Sequence, residues 1–296
     1  MVKELKAALV KSAKDPTYFW YFLQNVHPIR DHFPRLFRFL RRRKCLNLGS
    51  KSNLNKLHVI LRTTDFVMNT NSTRQLEDIG IKSRIDVIRI GGCSIFAAAK
   101  EYAAKYGESS LRITLVTDRL SAVGMMQYKE AAMRVGLTFD VIESKGCGNG
   151  PSFQTQVDVA LKDDDDTVVL ILEDDYLLEI DALSNCFAVM QDRSNVIGMN
   201  PHFHPDRVRR QDIGLLSLFG NKLYSQIFNT CCTFFITAKA ARRFEKKLRR
   251  YDGWEDGSIN CIWKQGICLA PLGWTMAEHL HRCDLSPVQK LVDSCS

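Results

Sequence analysis

Three adjacent carboxylates end the most apolar segment of the chain. Residues 168–172 are all aliphatic, and Glu173, Asp174 and Asp175 follow them directly. Carboxylates this close together repel one another unless a cation lies among them. Oxygen ligands suit a hard divalent ion, Mg²⁺ or Mn²⁺, and such an ion typically also binds substrate phosphates. The alternative is that the triplet caps a following helix, because acids near a helix N-terminus stabilise it by about 0.3–1 kcal/mol.

The segment that carries the triplet is one of four apolar runs that alternate with helical patterns. The predicted strands cover 57–62, 111–116, 137–143 and 167–173, and the predicted helices cover 93–107, 124–136, 151–161 and 178–192. Nearly continuous apolar strands are typical of a parallel sheet with helices on both faces. We therefore expect an α/β fold with a mostly parallel central sheet. Beyond about residue 200 the alternation weakens to a strand pattern over 228–237 and a helix pattern over 238–251.

Polar residues collect where these predicted strands end. Arg62, Thr63 and Asp65 end the first strand, and Asp118 ends the second. A glycine-rich turn, 146–150, follows the third strand, and the acidic triplet ends the fourth. Open α/β sheets bind ligands outside the carboxyl ends of their strands. We therefore expect carboxylates, an arginine and a flexible loop to meet at one edge of the sheet.

The composition is that of a globular protein with an excess of positive charge. The chain has 296 residues, 45% of them hydrophobic, and a formal net charge of +8. This excludes a fibrous or disordered chain, and the charge favours anionic partners such as nucleotides, nucleic acid or an acidic membrane surface. Most of the excess lies in two runs, 38–44 and 242–250, which solvated helix faces explain equally well.

The cysteines do not form a zinc module. None of the ten belongs to a CxxC pair, so we expect buried, reduced thiols in a cytosol-like compartment. The first fifteen residues are charged throughout and do not resemble a signal peptide, and no apolar run approaches the ~20 residues that span a bilayer. These features together predict a cytoplasmic protein.

Six short motifs, taken in their order along the chain, resemble the glycosyltransferases of the GT-A fold. They are LRTTD (61–65), VTDRLS (116–121), GNGPSFQTQVDVA (148–160), VVLILEDDYLL (168–178), WEDG (254–257) and AEHLHRCDLSP (277–287). The EDDY of the fourth motif is similar to a variant of the acidic DXD motif found in viral and microbial members. The resemblance covers about residues 57–287, and it departs from the DXD pattern in reading Glu-Asp-Asp.

The resemblance implies a metal-dependent transfer of a sugar from a nucleotide-diphosphate donor to a hydroxyl of a glycan or glycoprotein. It implies Mn²⁺ or Mg²⁺ as the cofactor, with Asp175 as a metal ligand and His279 completing the metal shell. It also implies that Glu173 faces the nucleotide and that Asp174 supports both Glu173 and Asp175 from behind. The other residues expected to bind the donor are Arg62, Thr63, Asp65, Asp118, Asn149 and Ser152.

An acceptor base is expected in the WEDG motif. An inverting reaction, which we expect here, needs a carboxylate that deprotonates the acceptor hydroxyl. Asp256 is the first candidate for this base and Glu255 is its rival, although both residues also suit a helix N-terminus.

Histidines and tryptophans of the second half supply further candidates. The candidates for metal contact are His202, His204, His279 and His281, and the alternative for each is a packed or surface residue. Lys145 is a further candidate for a phosphate or base contact. The candidates for stacking on a sugar ring are Trp254, Trp263 and Trp274, and the alternative for at least one of them is burial in the core.

The predicted organisation is one catalytic domain behind a helical extension. Residues 1–50 form the N-terminal helical extension, in which 28–44 also suits peripheral contact with a membrane surface. Residues 51–296 form a single GT-A-like domain. Its first part, 51–200, is the expected nucleotide-sugar-binding half, and 201–296 is the expected acceptor-binding half.

Two other functions compete with glycosyl transfer. A nucleotidyltransferase acting on a sugar phosphate shares the sheet and the metal, but it usually carries a glycine-rich signature after its first strand. The stretch 61–69 contains no glycine, which counts against that function. A non-catalytic nucleic-acid-binding module would explain the positive charge, but no RRM or KH signature is present, so nucleic acid is not an expected partner.

Overall fold

The computed structural model describes residues 48–65, 81, 83–204 and 213–280. The predicted helical extension lies almost wholly outside the described residues, as do the 28–44 membrane segment and His281. Within the described residues, no helix combines the length and the apolar character needed to cross a bilayer.

Eleven strands and seven α-helices make up the described fold. The strands are β1 (Lys56–Thr63), β2 (Leu111–Thr117), β3 (Asp140–Glu143), β4 (Thr167–Glu173), β5 (Tyr176–Leu178), β6 (Val196–Met199), β7 (Ile213–Phe219), β8 (Lys222–Ile227), β9 (Phe234–Thr237), β10 (Ile267–Pro271) and β11 (Ala277–His279). The helices are α1 (Arg84–Tyr106), α2 (Ala122–Val135), α3 (Asn149–Ala160), α4 (Ala182–Asp192), α5 (Ala238–Arg243), α6 (Glu245–Leu248) and α7 (Asn260–Trp263).

Nine of these strands form one mixed sheet in the order β3-β2-β1-β4-β9-β6-β10-β8-β7. The four strands β3, β2, β1 and β4 are parallel, and only β9 and β8 run against the other seven strands. The short strands β5 and β11 pair separately as an antiparallel ribbon. The expectation of an α/β fold with a mostly parallel central sheet is therefore confirmed.

The sheet is buried on both faces because its central strands alternate their apolar side chains between two cores. Along β4, Leu170 and Leu172 join the core beneath α1, α2 and α4, whereas Val169 and Ile171 join the core beneath α3 and α5–α7. All four of these side chains are at most 2% exposed. This two-sided burial is the physical reason why the strand reads as a continuous apolar run.

Several predicted boundaries were wrong. The helix predicted at 93–107 begins at Arg84, where Ser83 and Asp86 form a capping box. The predicted strand 228–237 shortens to Phe234–Thr237. The antiparallel strands β7 and β8 and the ribbon strand β5 were not predicted. β7 and β8 are partly exposed and carry a weak periodic signal, and β5 is buried but only three residues long.

The acidic run at 163–166 lies in the turn before β4, and its first residue is buried. Asp163 is 8% exposed and accepts a hydrogen bond from Nδ1 of the buried His58 at 2.7 Å. The Thr114 hydroxyl donates to the other ring nitrogen at 2.8 Å, and Arg112 also contacts Asp163. Burial lowers the pKa of His58 despite the nearby Asp163 carboxylate, so the ring is neutral in the folded chain.

A pH-dependent stability is expected from this buried histidine. Its folded pKa is depressed, so its stabilising contribution is present above the unfolded value of about 6.5 and is lost as the pH falls through the folded pKa. We expect the free energy of unfolding to drop between pH 7 and pH 5, and to drop less steeply in His58→Gln. Chemical denaturation across this range measures both slopes, and equal slopes would contradict the assignment.

Candidate active site

A cleft of about 1190 Å³ lies at the carboxyl ends of the parallel strands. It is large enough for a ligand bigger than a typical drug-sized molecule. Its lining comes from the ends of β1, β2 and β4, the start of α1, the glycine-rich turn before α3, and the segment after α6. The lining side chains used below are Arg62, Thr63, Arg84, Asp118, Arg119, Asn149, Ser152, Glu173, Asp174, Asp175 and Tyr251.

Glu173, the first acid of the triplet, pairs with a buried arginine. Parallel pairing sets Arg62 of β1 opposite Glu173 of β4, and their side chains form an ion pair. Arg62 also donates to the Asn149 carbonyl at 2.8 Å, which ties the start of α3 to the sheet. Burial alone would lower the pKa of Arg62, but the adjacent Glu173 carboxylate raises it, so the guanidinium stays charged.

Asp174, the second acid, lines the cleft, and its carboxylate is engaged in a buried polar network. It forms an ion pair with Arg84 at the start of α1 and accepts a hydrogen bond from the Thr63 hydroxyl at 2.5 Å. The Tyr128 hydroxyl of α2 donates to Thr63 Oγ1 at 3.0 Å. Burial raises the pKa of Asp174, and Arg84 partly offsets that rise. Asp174 therefore links β1, β4, α1 and α2 at the wall of the cleft.

These two ion pairs correct the explanation given above for the clustered acids. Mutual repulsion in the triplet does not by itself require a metal, because Arg62 lies against Glu173 and Arg84 lies against Asp174. The capping alternative is also wrong, because β5 separates the triplet from α4, whose N-cap is Asp181. Glu173 instead ends β4, and Asp174 and Asp175 form the tight turn between β4 and β5.

Asp175, the third acid, meets a histidine from the far end of the chain. β11 pairs with β5 so that His279 lies opposite Tyr176, and His279 Nε2 lies 3.3 Å from Asp175 Oδ2. The Leu280 backbone N–H donates to the Asp175 carbonyl at 2.9 Å and fixes the two segments together. The ribbon thus brings together the two residues predicted to bind metal.

The donor set of this pair fits a divalent ion. Carboxylate oxygen suits Mg²⁺ and Mn²⁺, and two neighbouring ligands of an octahedral ion at about 2.1 Å lie about 3 Å apart, close to the observed separation of Asp175 and His279. Within the described residues, no group of three or more His, Cys, Asp or Glu side chains is arranged to hold an ion. An ion here would therefore take its other ligands from substrate oxygens and water, as Mg²⁺ commonly does.

The glycine-rich turn closes the opposite side of the cleft. The Gly148 N–H donates to Asp118 Oδ2 at 2.6 Å. Gly148 adopts φ 90°, a backbone conformation that residues other than glycine rarely adopt. Asn149 and Ser152 follow in the first turn of α3 and line the cleft. Asp118 also pairs with Arg119 at 3.2 Å, so an arginine lies on this side too.

Comparison with known proteins gives likenesses of structure only. No protein-family model and no curated protein matches the chain. The mannosyltransferase PcManGT from Pyrobaculum calidifontis, solved with GDP-Man and Mn²⁺, is 14% identical, with a TM-score of 0.43 over 82% of this chain and 58% of that protein. TarS 1–349 from S. aureus is 12% identical, with a TM-score of 0.46 over 75% of this chain and 59% of that one.

A third solved structure belongs to the other enzyme class considered. It is a Bacillus anthracis protein described as a glucose-1-phosphate thymidylyltransferase, 9% identical, with a TM-score of 0.42 over 81% of this chain and 95% of that chain. The present chain spans less than three fifths of the first two proteins. At these identities, the function has to be inferred from the side chains of this cleft.

Five of the predicted site residues do not line the cleft: His279, which reaches it only through its contact with Asp175, and Asp65, Lys145, Glu255 and Asp256. Asp65 accepts a hydrogen bond from the Ser121 N–H at 3.0 Å and so contacts the start of α2. Lys145 pairs with Asp158 on α3. Asp256 accepts from the Asn260 side chain at 2.8 Å, and Glu255 lies 3.8 Å from the Cys232 thiol.

The remaining histidine and tryptophan candidates have distinct environments. His202 is 6% exposed, its Nδ1 donates to the Ala277 carbonyl at 2.8 Å, and its ring stacks edge-on against His204 and Tyr176. Trp263 is fully buried, in agreement with the core alternative. Trp274 lies against Lys222, whereas Trp254 is 67% exposed beyond the cleft segment 251–253.

Arg84 and Arg119 are the two cleft arginines that were not predicted, and Gln154, Tyr251 and Asp252 also line the cleft without having been predicted. Arg84 is invisible to a strand-end argument because it begins a helix, although the Ser83–Asp86 capping box gave a usable signal. Arg119 adopts φ 54°, the only positive φ among the described non-glycine residues. A non-glycine residue in this region is uncommon and is enriched at functional sites.

Proposed function

We propose that the chain is a metal-dependent glycosyltransferase, which moves a hexosyl or pentosyl group from a nucleotide-diphosphate donor to a hydroxyl of a glycan or glycoprotein. One observation carries this proposal: a single cleft is lined by three arginines and by Asp175, whose carboxylate lies 3.3 Å from His279 Nε2. Arginine suits phosphate oxygens, and the carboxylate–imidazole pair suits a divalent ion. A nucleotide diphosphate bound with a cation requires both.

Each side chain then has a defined task. Arg62, Arg84 and Arg119 are the proposed hydrogen-bond donors to phosphate oxygens, and Arg62 and Arg84 are held in place by their carboxylate partners. Asp175 and His279 hold the ion, which when bound would offset the negative charge that develops on the leaving diphosphate. Glu173 orients Arg62, and Asp174 orients Arg84 and Thr63. Rigid charges of this kind need no reorganisation during the reaction.

The donor and acceptor sides of the cleft are assigned from the two predicted halves of the domain. The lining residues from 51–200, the half predicted to bind the donor, are mostly polar residues and glycines at strand ends and helix starts. The acceptor side is proposed to include 251–257, which reaches the cleft through Tyr251, Asp252 and Gly253. An inverting reaction remains the proposed stereochemistry, with Asp256 as the proposed base and Glu255 as its rival.

A screen of nucleotide-sugars tests the class of enzyme directly. We expect one donor, in the presence of Mn²⁺ or Mg²⁺, to be hydrolysed slowly without an acceptor and to yield nucleoside diphosphate and free sugar. Product analysis by chromatography identifies both the donor and the bond that breaks. Release of pyrophosphate from a nucleoside triphosphate and a sugar phosphate would instead identify a nucleotidyltransferase. Absence of turnover with every donor and metal would contradict the proposal.

A further inference from the structure

The helical segment 238–251 carries two opposite faces. Its buried side chains recur at helical spacing in Ala241, Phe244, Leu248 and Tyr251, each at most 5% exposed. Phe244, with φ −108° and ψ 16°, interrupts the helix between α5 and α6, but backbone hydrogen bonds run from Phe244 to Ala240 and from Leu248 to Phe244. The two short helices follow one another and bury one face of a segment about 20 Å long.

The face opposite the buried one is entirely cationic. Its four positions, spaced four, three and four residues apart, are all exposed: Lys239, Arg243, Lys246 and Arg250. We call these four residues the cationic stripe. Within the described residues, none of the four contacts a carboxylate. By contrast, two neighbouring basic residues of the segment form ion pairs with other parts of the protein. Arg242 pairs with Asp165, and Arg249 pairs with Asp158.

Local energetics explain only part of the stripe: Arg243 and Lys246 lie in the last turns of α5 and α6, where the helix dipole favours a cation, and Arg243 also lies over the Phe244 ring. Like charges three and four residues apart on a helix repel each other, and solvated helix faces usually mix both signs. Lys239 also lies in the first turn of α5, where a cation opposes the helix dipole and where the helix has no acidic residue. The flanking cations show that the same segment pairs its charges where a partner exists.

The stripe leads to the cleft. Because β9 runs against β4, its end at Thr237 lies at the sheet edge away from the cleft, and 238–251 returns along α3 toward it. The residue after Arg250 is Tyr251, which lines the cleft. The cations follow one another at about 5–6 Å along the helix axis, over about 16 Å in total.

We propose that the cationic stripe binds an acceptor chain that carries phosphate groups along its length and directs the end of that chain into the cleft. This proposal rests on the proposed glycosyl transfer and specifies its acceptor as an anionic polymer. A row of single cations matches a row of anionic groups, because Lys and Arg bind phosphate through charge-assisted hydrogen bonds. The exposed Trp254 lies beyond the cleft end of the stripe and offers a face for a sugar.

The surroundings of the stripe favour a narrow chain over an anionic bilayer. Exposed carboxylates flank it, since Asp165 is 67% exposed and Glu245 is 48% exposed. Asp252 is exposed at its cleft end. A flat anionic surface that covered the stripe would also press against these carboxylates, whereas a single chain follows the cations alone.

The test compares two quadruple variants of the full chain that lose the same charge. The stripe variant is Lys239→Gln, Arg243→Gln, Lys246→Gln and Arg250→Gln. The control variant removes four exposed cations elsewhere, as Lys51→Gln, Lys129→Gln, Arg134→Gln and Lys264→Gln. Binding of fluorescently labelled linear polyphosphate is measured by polarisation over a range of salt concentrations, and anionic vesicles of phosphatidylserine are tested by co-sedimentation.

We expect the stripe variant to lose on the order of 100-fold in polyphosphate affinity at low salt, with a log–log salt slope that is shallower by about 3. The control variant should lose only a few-fold, and vesicles should bind more weakly than the polymer. Equal losses in both variants, or preferential binding to vesicles, would overturn the proposal. Donor hydrolysis is measured in parallel and should persist in both variants, so its absence from the unmodified chain would identify a failure of the proposed function instead.

Discussion

Replacing Asp175 with asparagine is expected to lower metal-dependent hydrolysis of the donor by about 100- to 1000-fold. Asparagine keeps the shape of the side chain but removes the charge that would hold a divalent ion beside His279, 3.3 Å away. A bound ion contributes several kcal/mol of charge stabilisation, and each 1.36 kcal/mol corresponds to a factor of ten in rate. Steady-state rates at saturating metal, together with the metal concentration that gives half-maximal activity, measure the effect.

The matched control is Asp181→Asn. Asp181 lies six residues further along the chain, is half exposed and pairs with Lys222 outside the cleft. Its variant should retain normal activity, and both variants should keep the stability of the unmodified chain to within about 1 kcal/mol. His279→Gln should raise the metal requirement with a smaller loss of maximal rate. Full activity of Asp175→Asn at ordinary metal concentrations would exclude Asp175 as the metal ligand.

The parallel half of the fold was predictable because its signal is local. β1, β2 and β4 are apolar on both faces, so their composition marks them without knowledge of their partners. Of the antiparallel strands, only β9 was predicted. β7 is largely half-exposed and gains its place by pairing with β8, and β11 is three residues long and exists through its pairing with β5. Such strands are defined by tertiary contacts that no sequence window contains.

The candidate site divides in the same way. The strand-end rule brought Arg62, Glu173 and Asp118 to one cleft, because parallel strands deliver their last residues to one edge. It also selected Asp65, which the structure uses to contact the start of α2. It could not predict Arg84, because it considers only residues at strand ends and Arg84 begins a helix, ninety residues before its partner Asp174. Without that pairing, the different roles of Glu173, Asp174 and Asp175 could not be predicted.

Removing Arg84 is expected to cost about 3–5 kcal/mol of stability at neutral pH. In Arg84→Met the Asp174 carboxylate, 7% exposed, would keep only its hydrogen bonds from Thr63 and Thr64. Breaking a buried ion pair by deleting one partner leaves the other charge buried and uncompensated, and it is this charge that destabilises the fold. Urea denaturation measures the loss, and Arg89→Met on the same helix, where Arg89 is 40% exposed and 3.8 Å from Asp86, should cost at most about 0.5 kcal/mol.

The cost should depend on pH in a direction that identifies its cause. Burial already raises the pKa of Asp174, and loss of Arg84 raises it further. A carboxyl group with a raised folded pKa destabilises the fold above that pKa, and the penalty vanishes below the unfolded value of about 3.9, where both states bind the proton. Arg84→Met should therefore approach the stability of the unmodified chain as the pH falls. The double variant Arg84→Met/Asp174→Asn should recover most of the loss at pH 7, since no buried charge remains. If the double variant is as unstable as Arg84→Met alone, Arg84 stabilises the fold by packing and not by compensating the buried charge of Asp174.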